Sequence, residues 1–292
     1  MNAPPDLTPL LAWYARDARD LPWRRADVTP WQVLVSEVML QQTPVSRVLP
    51  AWTAWLERWP TPADLAADQP AEAIRMWGRL GYPRRAVRLH ECARILVERY
   101  GGVVPDDVPT LLTLPGIGSY TARAVAVFGY QRRHPVVDTN VRRVAARVVT
   151  GQPDGGTTTS AGDLATVERL LPESADRAAR LSVAIMELGA LVCTARSPGC
   201  ASCPISDRCA WRASGRSLPS GSSRRPQRYA GTDRQVRGLL MAVLREAPGS
   251  VERPRLDLVW PDPVQRDRAL EGLLVDGLAV RLPGDRYTLP VN

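Results

Sequence analysis

The sequence contains no lysine, and all 38 of its positive side chains are arginines. That absence excludes Schiff-base chemistry at a side-chain amine and leaves only the N-terminal amine, which no motif places in a site. A GC-rich genome would account for it, and for the abundance of Ala, Pro and Val, but the chemical consequence holds whatever the cause. Cysteine is scarce, at five residues. The opening residues MNAPPDLTPLLAWY have neither a charged n-region nor an apolar h-region, so nothing points to an oxidising compartment, and disulfides are not expected. No apolar run approaches the ~20 residues of a membrane span, which leads to the expectation of a soluble, cytoplasmic protein with no membrane partner. Strand signals are few. Phenylalanine and histidine are also scarce, with one Phe, Phe128, and two histidines, His90 and His134.

What is present is more specific. Four of the five cysteines, Cys193, Cys200, Cys203 and Cys209, fall in one short loop with the spacing C-x6-C-x2-C-x5-C. Four thiolates in one loop can wrap a single metal centre. Structural zinc sites pair two C-x2–4-C knuckles, and only Cys200 and Cys203 form one here. The spacing therefore favours a 4Fe–4S cluster, with Cys92 left free and buried. The formal net charge is +8, which suggests a polyanionic partner such as nucleic acid.

At 292 residues and 45% hydrophobic composition, the chain can bury a core and can hold more than one domain. Apolar residues recur at helical spacing over 8–18, 31–41, 45–58, 84–99, 119–129, 139–149 and 176–192, separated by Pro and Gly. The fold class is mainly α. A polar, Ser/Gly/Arg-rich stretch over 211–232 reads as a linker. Helical patterns follow at 234–247 and 263–276, and then a hairpin that turns at Gly284-Asp285. This order describes a small winged-helix-like module over 233–292.

Three further motifs carry chemistry. LPGIGSYTA (114–122) places a G-x-G turn at a helix start, which leaves backbone N–H groups free to hold a phosphate; the same letters also occur in ordinary turns. Asp138 ends an apolar run just before a helix, where it reads equally as an N-cap or as a positioned carboxylate. Glu37 lies among Val, Leu and Met in WQVLVSEVMLQQT. Desolvation disfavours its charged form and suits it to a general acid, unless Ser36, Glu37 and Gln41 form a solvated polar face.

Taken in order, LPWRR (21–25), SEVMLQQT (36–43), GRLGY (78–82), LPGIGSYTA, VVDTNVRRV (136–144) and MELGALVC (186–193) resemble the A/G-specific adenine DNA glycosylases of the helix-hairpin-helix superfamily. The resemblance covers about residues 6–210. It implies two helical lobes, a six-helix barrel at about 28–136 and an iron–sulfur lobe at about 1–27 and 137–210. It also implies a monofunctional enzyme, expected to be a monomer, that removes adenine mispaired with 8-oxoguanine or guanine in double-stranded DNA. Residue by residue, Glu37 matches the acid that protonates the base, and Asp138 the carboxylate that stabilises the cationic sugar. Asn140 matches a residue near the sugar. Tyr120 stands where bifunctional relatives carry a Schiff-base lysine. Gln42 and Tyr82 match residues that enter the base stack, and Trp23 and Arg24 match residues lining the base pocket. Gln41, Gly116, Gly118 and Thr121 belong to the expected DNA-contacting segments, and Arg196, Arg208 and Arg212 are expected at the phosphate backbone.

The sequence departs from the family at three places. Pro83 follows Tyr82, where many relatives have a second aromatic. Val183 stands where adenine-reading relatives carry Gln or Glu. The tail has neither the length nor the Phe and His for the Nudix-like domain that reads 8-oxoguanine. Val183 and the missing Nudix-like domain would suit a T·G or U·G mismatch glycosylase on the same scaffold, against which Glu37 argues. A reading in a different class, a non-catalytic iron–sulfur DNA-binding regulator, predicts lost carboxylates where Glu37 and Asp138 are both present. The tail is expected either to add duplex affinity and salt dependence or to act as a packing appendage on the cluster lobe.

Overall fold

The structure is a computed structural model that describes residues 5–156, 158–215 and 229–291. The expected linker lies largely outside the described residues. In chain order the helices are α1 (Thr8–Asp17), α2 (Pro30–Leu40), α3 (Val45–Arg58), α4 (Pro62–Ala67), α5 (Pro70–Trp77), α6 (Arg84–Tyr100), α7 (Val108–Leu111) and α8 (Ser119–Tyr130). They continue as α9 (Thr139–Ala145), α10 (Ala161–Leu170), α11 (Ala175–Leu191), α12 (Ala210–Ala213), α13 (Asp233–Glu246), α14 (Arg253–Asp257) and α15 (Pro263–Val275). Strands β1 (Val251–Glu252), β2 (Val280–Leu282) and β3 (Arg286–Thr288) are the only strands among the described residues. A single π-helical turn, Ala146–Thr150, prolongs α9. No helix among the described residues is long and apolar enough to cross a membrane.

The chain divides into two compact units. One gathers the described residues of Met1–Leu34, Pro105–Thr113 and Ile117–Ser222. Its core sets Leu10 of α1 against Val141 of α9, Ala184 and Ile185 of α11, and Ile205 of the cysteine loop, all almost wholly buried. Helices α9 and α11 approach closely because position 189 is glycine. A Cβ there would lie 2.7 Å from the Asn140 Cβ and 2.9 Å from its carbonyl oxygen. Cys193, Cys203 and Cys209 pack against the same core.

The other unit gathers Val35–Val104, Leu114–Gly116 and the described residues of Ser223–Asn292. Three tryptophans meet edge to face at its centre. The Trp55 ring lies 4.6 Å from Trp59 and 5.7 Å from Trp77, between centroids, and such geometry adds to simple area burial. The tail module follows the winged-helix order of helix, strand, two helices and hairpin, with sheet order β1-β3-β2. Its turn is where the sequence places it. Gly284 and Asp285 both have positive φ, +75° and +53°, as a tight hairpin of this hand requires. The module packs α13 against α5. It therefore groups with residues 35–104 and not with the cysteine loop, which corrects the expectation of an appendage on the cluster lobe.

Candidate active site

Asp138 caps α9. Its Oδ1 accepts the Val141 N–H at 2.7 Å, and its Oδ2 accepts the Asn140 side-chain amide at 3.0 Å. Burial pushes the Asp138 carboxyl above the ordinary carboxylate range, and these two donors oppose the shift without cancelling it. The N-cap role read from the sequence is thus present. Asn140 is fixed in turn, because its Oδ1 accepts from Arg143 Nη2 at 2.8 Å. The same guanidinium donates from Nη2 to the Gly189 carbonyl at 2.7 Å and from Nε to the Cys193 carbonyl at 2.8 Å. A continuous hydrogen-bonded path therefore runs from Asp138 to the first cysteine. Tyr120, in the first turn of α8, is half-buried and packs beside Ala124, Val127, Val136 and Ala179.

Glu37 lies in the third turn of α2, where every residue from Val33 to Met39 is buried. Ser36 is 1% exposed and Glu37 7%. The alternative of a solvated polar face is therefore overturned, since a helix buried all round has no such face.

A third carboxyl was not singled out from the sequence. Glu187, on α11, has a wholly buried side chain held by two arginines. Arg19 donates from Nε to Oε1 and from Nη2 to Oε2, both at 2.7 Å, and Arg24 donates from Nη2 to Oε2 at 2.8 Å. Burial alone would raise the Glu187 carboxyl, but the two guanidinia outweigh it and hold it at about 2. Arg24 also lies over the Tyr14 ring, 5.9 Å from its centroid. Its Nη1 is buried without a hydrogen-bond partner. A buried open donor is a place for a ligand acceptor. Trp23, beside it, is buried in the short 3-10 turn Pro22–Arg24.

The four cysteines of the loop are free, partly buried, and line one cavity with Arg147, Val192 and Trp211. Among the described residues, no three His, Cys, Asp or Glu side chains gather tightly enough to hold one metal ion. Thiols set around a cavity without converging suit a cube, in which each iron takes one thiolate, better than a single zinc. The fit is supported by Arg147, which is 1% exposed. It donates to the Cys193 sulfur at 3.3 Å, to the carbonyls of Pro153, Thr194 and Ala195, and lies 4.9 Å from the Trp211 ring centroid. Burial pushes the Cys203 thiol up to about 11 and raises Cys193 as well, so ligation depends on the metal's charge to displace the protons. Cys92 is wholly buried in α6, and burial pushes its thiol up to about 12. Of the arginines expected at phosphates, Arg212 donates to the Cys200 carbonyl at 3.3 Å and Arg208 lies 3.8 Å from Asp6, while Arg196 is exposed.

The LPGIG turn joins α7 to α8. Gly116 has φ +77°, and a Cβ there would sit 2.8 Å from the Arg88 Cβ. Gly118 is the exposed N-cap of α8, which opens the first-turn N–H groups to an anion. Thr121 is 3% exposed. Its side chain is an interior contact. Gln42 and Tyr82 are both exposed and both have positive φ, +54° and +49°, a rare state for non-glycine residues. The Gln41 carbonyl accepts from Arg85 Nη1 at 2.7 Å.

Comparison with known proteins agrees with this arrangement. Residues 35–160 match the HhH-GPD superfamily of base excision DNA repair proteins, and residues 193–209 match the iron-sulfur binding domain of endonuclease III. The chain is 60% identical to an adenine DNA glycosylase of Mycolicibacterium smegmatis over 96% of its own length and 94% of that protein. It is 42% identical to the human adenine DNA glycosylase, over 68% of this chain and 38% of that one. Among solved structures, a thermostable thymine-DNA glycosylase superposes with a TM-score of 0.63 at 27% identity, covering 70% of this chain and 94% of that one.

Proposed function

Because the chain belongs to the adenine DNA glycosylases of the helix-hairpin-helix superfamily, we propose that it hydrolyses the N-glycosidic bond of adenine mispaired with 8-oxoguanine or guanine in duplex DNA. It would do so as a cytoplasmic monomer. The observation that carries this reading is two carboxyls, one buried within a helix and one half-buried at a helix start. Glu37 is embedded in a buried helix, whereas Asp138 is held by a backbone N–H and an amide. Two carboxyls, one protonating the leaving group and one stabilising the cationic sugar, are what glycoside chemistry uses.

Adenine leaves poorly as an anion. Glu37 protonates a ring nitrogen, so the base departs neutral as the sugar gains oxocarbenium character. Asp138, oriented by Asn140, offsets that positive charge, and water or a transient Asp138 adduct completes the displacement. The nucleotide must first leave the duplex. Gln42 and Tyr82 fill the stack, Trp23 and the open Nη1 of Arg24 meet the flipped base, and the backbone at Gly116 and Gly118 holds a phosphate. Cys193, Cys200, Cys203 and Cys209 hold a 4Fe–4S cluster, which when bound ties their loop together.

A duplex panel tests the function. Adenine should be released from A·8-oxoguanine and A·G, leaving an abasic product that breaks only after alkali, since Tyr120 offers no amine. Faster release from T·G or U·G, or a borohydride-trapped adduct at the level of base release, would overturn it. The cofactor has its own test. Purified protein should be brown with about four irons per chain, and a colourless protein carrying one zinc would refute the ligand set.

A further inference from the structure

The loop over 78–85 is strained in a particular way. Gly78, Gly81 and Tyr82 all have positive φ, at +53°, +87° and +49°. For tyrosine this conformation is costly, and such strain persists only where the surroundings over-determine it. Part of that support comes from nearby. Trp77 Nε1 and Arg85 Nη2 donate to the Gly81 carbonyl at 2.9 and 3.0 Å.

The rest comes from the tail module. The Arg245 side chain donates to the Gly78 carbonyl, and Arg84 pairs with Asp276 at 3.2 Å. In return, Arg75 Nη2 donates to the Ala247 carbonyl at 2.9 Å. At the loop's tip, the Arg234 guanidinium lies 5.4 Å from the Tyr82 ring centroid and that of Arg85 lies 5.6 Å away. The tail thus grips the loop at both ends and at its aromatic tip.

The same module is poorly equipped to bind phosphates itself. Residues 229–291 contain nine arginines and nine carboxylates, so the segment is formally neutral within a chain of net charge +8. Helix α15 stands where a helix-turn-helix protein carries its recognition helix, and its arginines are already committed. Arg266 binds Asp257 and the Trp260 carbonyl, and Arg268 binds Asp233 through two nitrogens.

We propose that Arg234 is a positioning residue, through which the tail holds Tyr82 ready to enter the base stack and so sets discrimination between mispaired and matched duplex. The inference rests on the reading of Tyr82 as a stacking residue. Base stacking uses an exposed aromatic ring, and a neighbouring guanidinium can hold that ring by a cation–π contact.

The test uses the full-length protein as wild type, R234A, R234K, Y82A and the R234A/Y82A double variant. Affinity for A·G and matched T·A duplexes is measured across a salt series. Arg234→Ala should lower the A·G preference by about three- to tenfold, the span expected for losing one guanidinium–ring contact. The salt slope should not change, and Arg234→Lys should restore part of the preference. The loss should vanish in the Tyr82→Ala background. A loss that persists there, a salt slope reduced by about one phosphate contact, or no loss at all would overturn the role of Arg234. If Tyr82→Ala alone keeps full discrimination, it is the stacking role of Tyr82 that fails.

Discussion

Glu37→Gln should bind the A·G duplex as tightly as wild type while losing excision by about 10²- to 10⁴-fold in single-turnover rate, the range that general acid catalysis supplies. The substitution is nearly isosteric. In a helix turn buried on every side it opens no cavity and exposes no new surface, so folding and duplex affinity should hold. What it removes is a transferable proton. An amide can donate a hydrogen bond to a ring nitrogen but cannot leave its proton there, and adenine then has to depart as an anion. Measuring affinity and single-turnover release on the same preparation separates the two properties. A variant that still excises at near wild-type rate would mean that Glu37 is not the acid.

Asp138→Asn should cost about 100-fold or more, the scale on which one preorganised charge acts on a developing cation. Asparagine caps helices about as well as aspartate does, so the Val141 N–H keeps its acceptor and α9 its start. The negative charge is lost, and the oxocarbenium-like state has nothing to offset it. The pH profile gives a second readout. Because burial raises the Asp138 carboxyl, wild-type excision should fall on the acid side at a pH above the ordinary carboxylate range. The residual activity of Asp138→Asn should lack that limb. Unfolding would not explain the acid loss through this group, because protonating a carboxyl whose folded-state pKa is raised relieves the folded state. A variant within tenfold of wild type, with the acid limb intact, would remove Asp138 from the mechanism.

Much of this was legible in the chain because the signals are local. Long helices such as α3, α6 and α11 announce themselves through apolar spacing, and their observed ends fall within one or two residues of the pattern. The short helices α4, α5, α10 and α14 escaped it. They hold too few turns for a period, although α4 and α10 open with capping boxes, Thr61 with Asp64 and Ser160 with Asp163, which the sequence displays. The cysteines and Asp138 were equally visible, since each carries its meaning within a few residues. The Glu187 cluster was not. Its arginines stand 168 and 163 residues away, and nothing in a local pattern says which distant cation a buried acid will meet. The lone acid in an apolar helix, the signal that exposed Glu37, was present at Glu187 as well.

If Asp138 acts as proposed, the path from it through Asn140 and Arg143 to the Cys193 carbonyl gives the cysteine loop a mechanical part in a reaction without redox change. One guanidinium is shared between the carboxylate's support and the start of the loop, so the two cannot relax independently. Slack at residue 193 would be passed along three hydrogen bonds to the Asp138 carboxylate, the group proposed to offset the sugar's charge. The cluster then serves as a guy-rope anchor, set well away from the mast that it keeps upright.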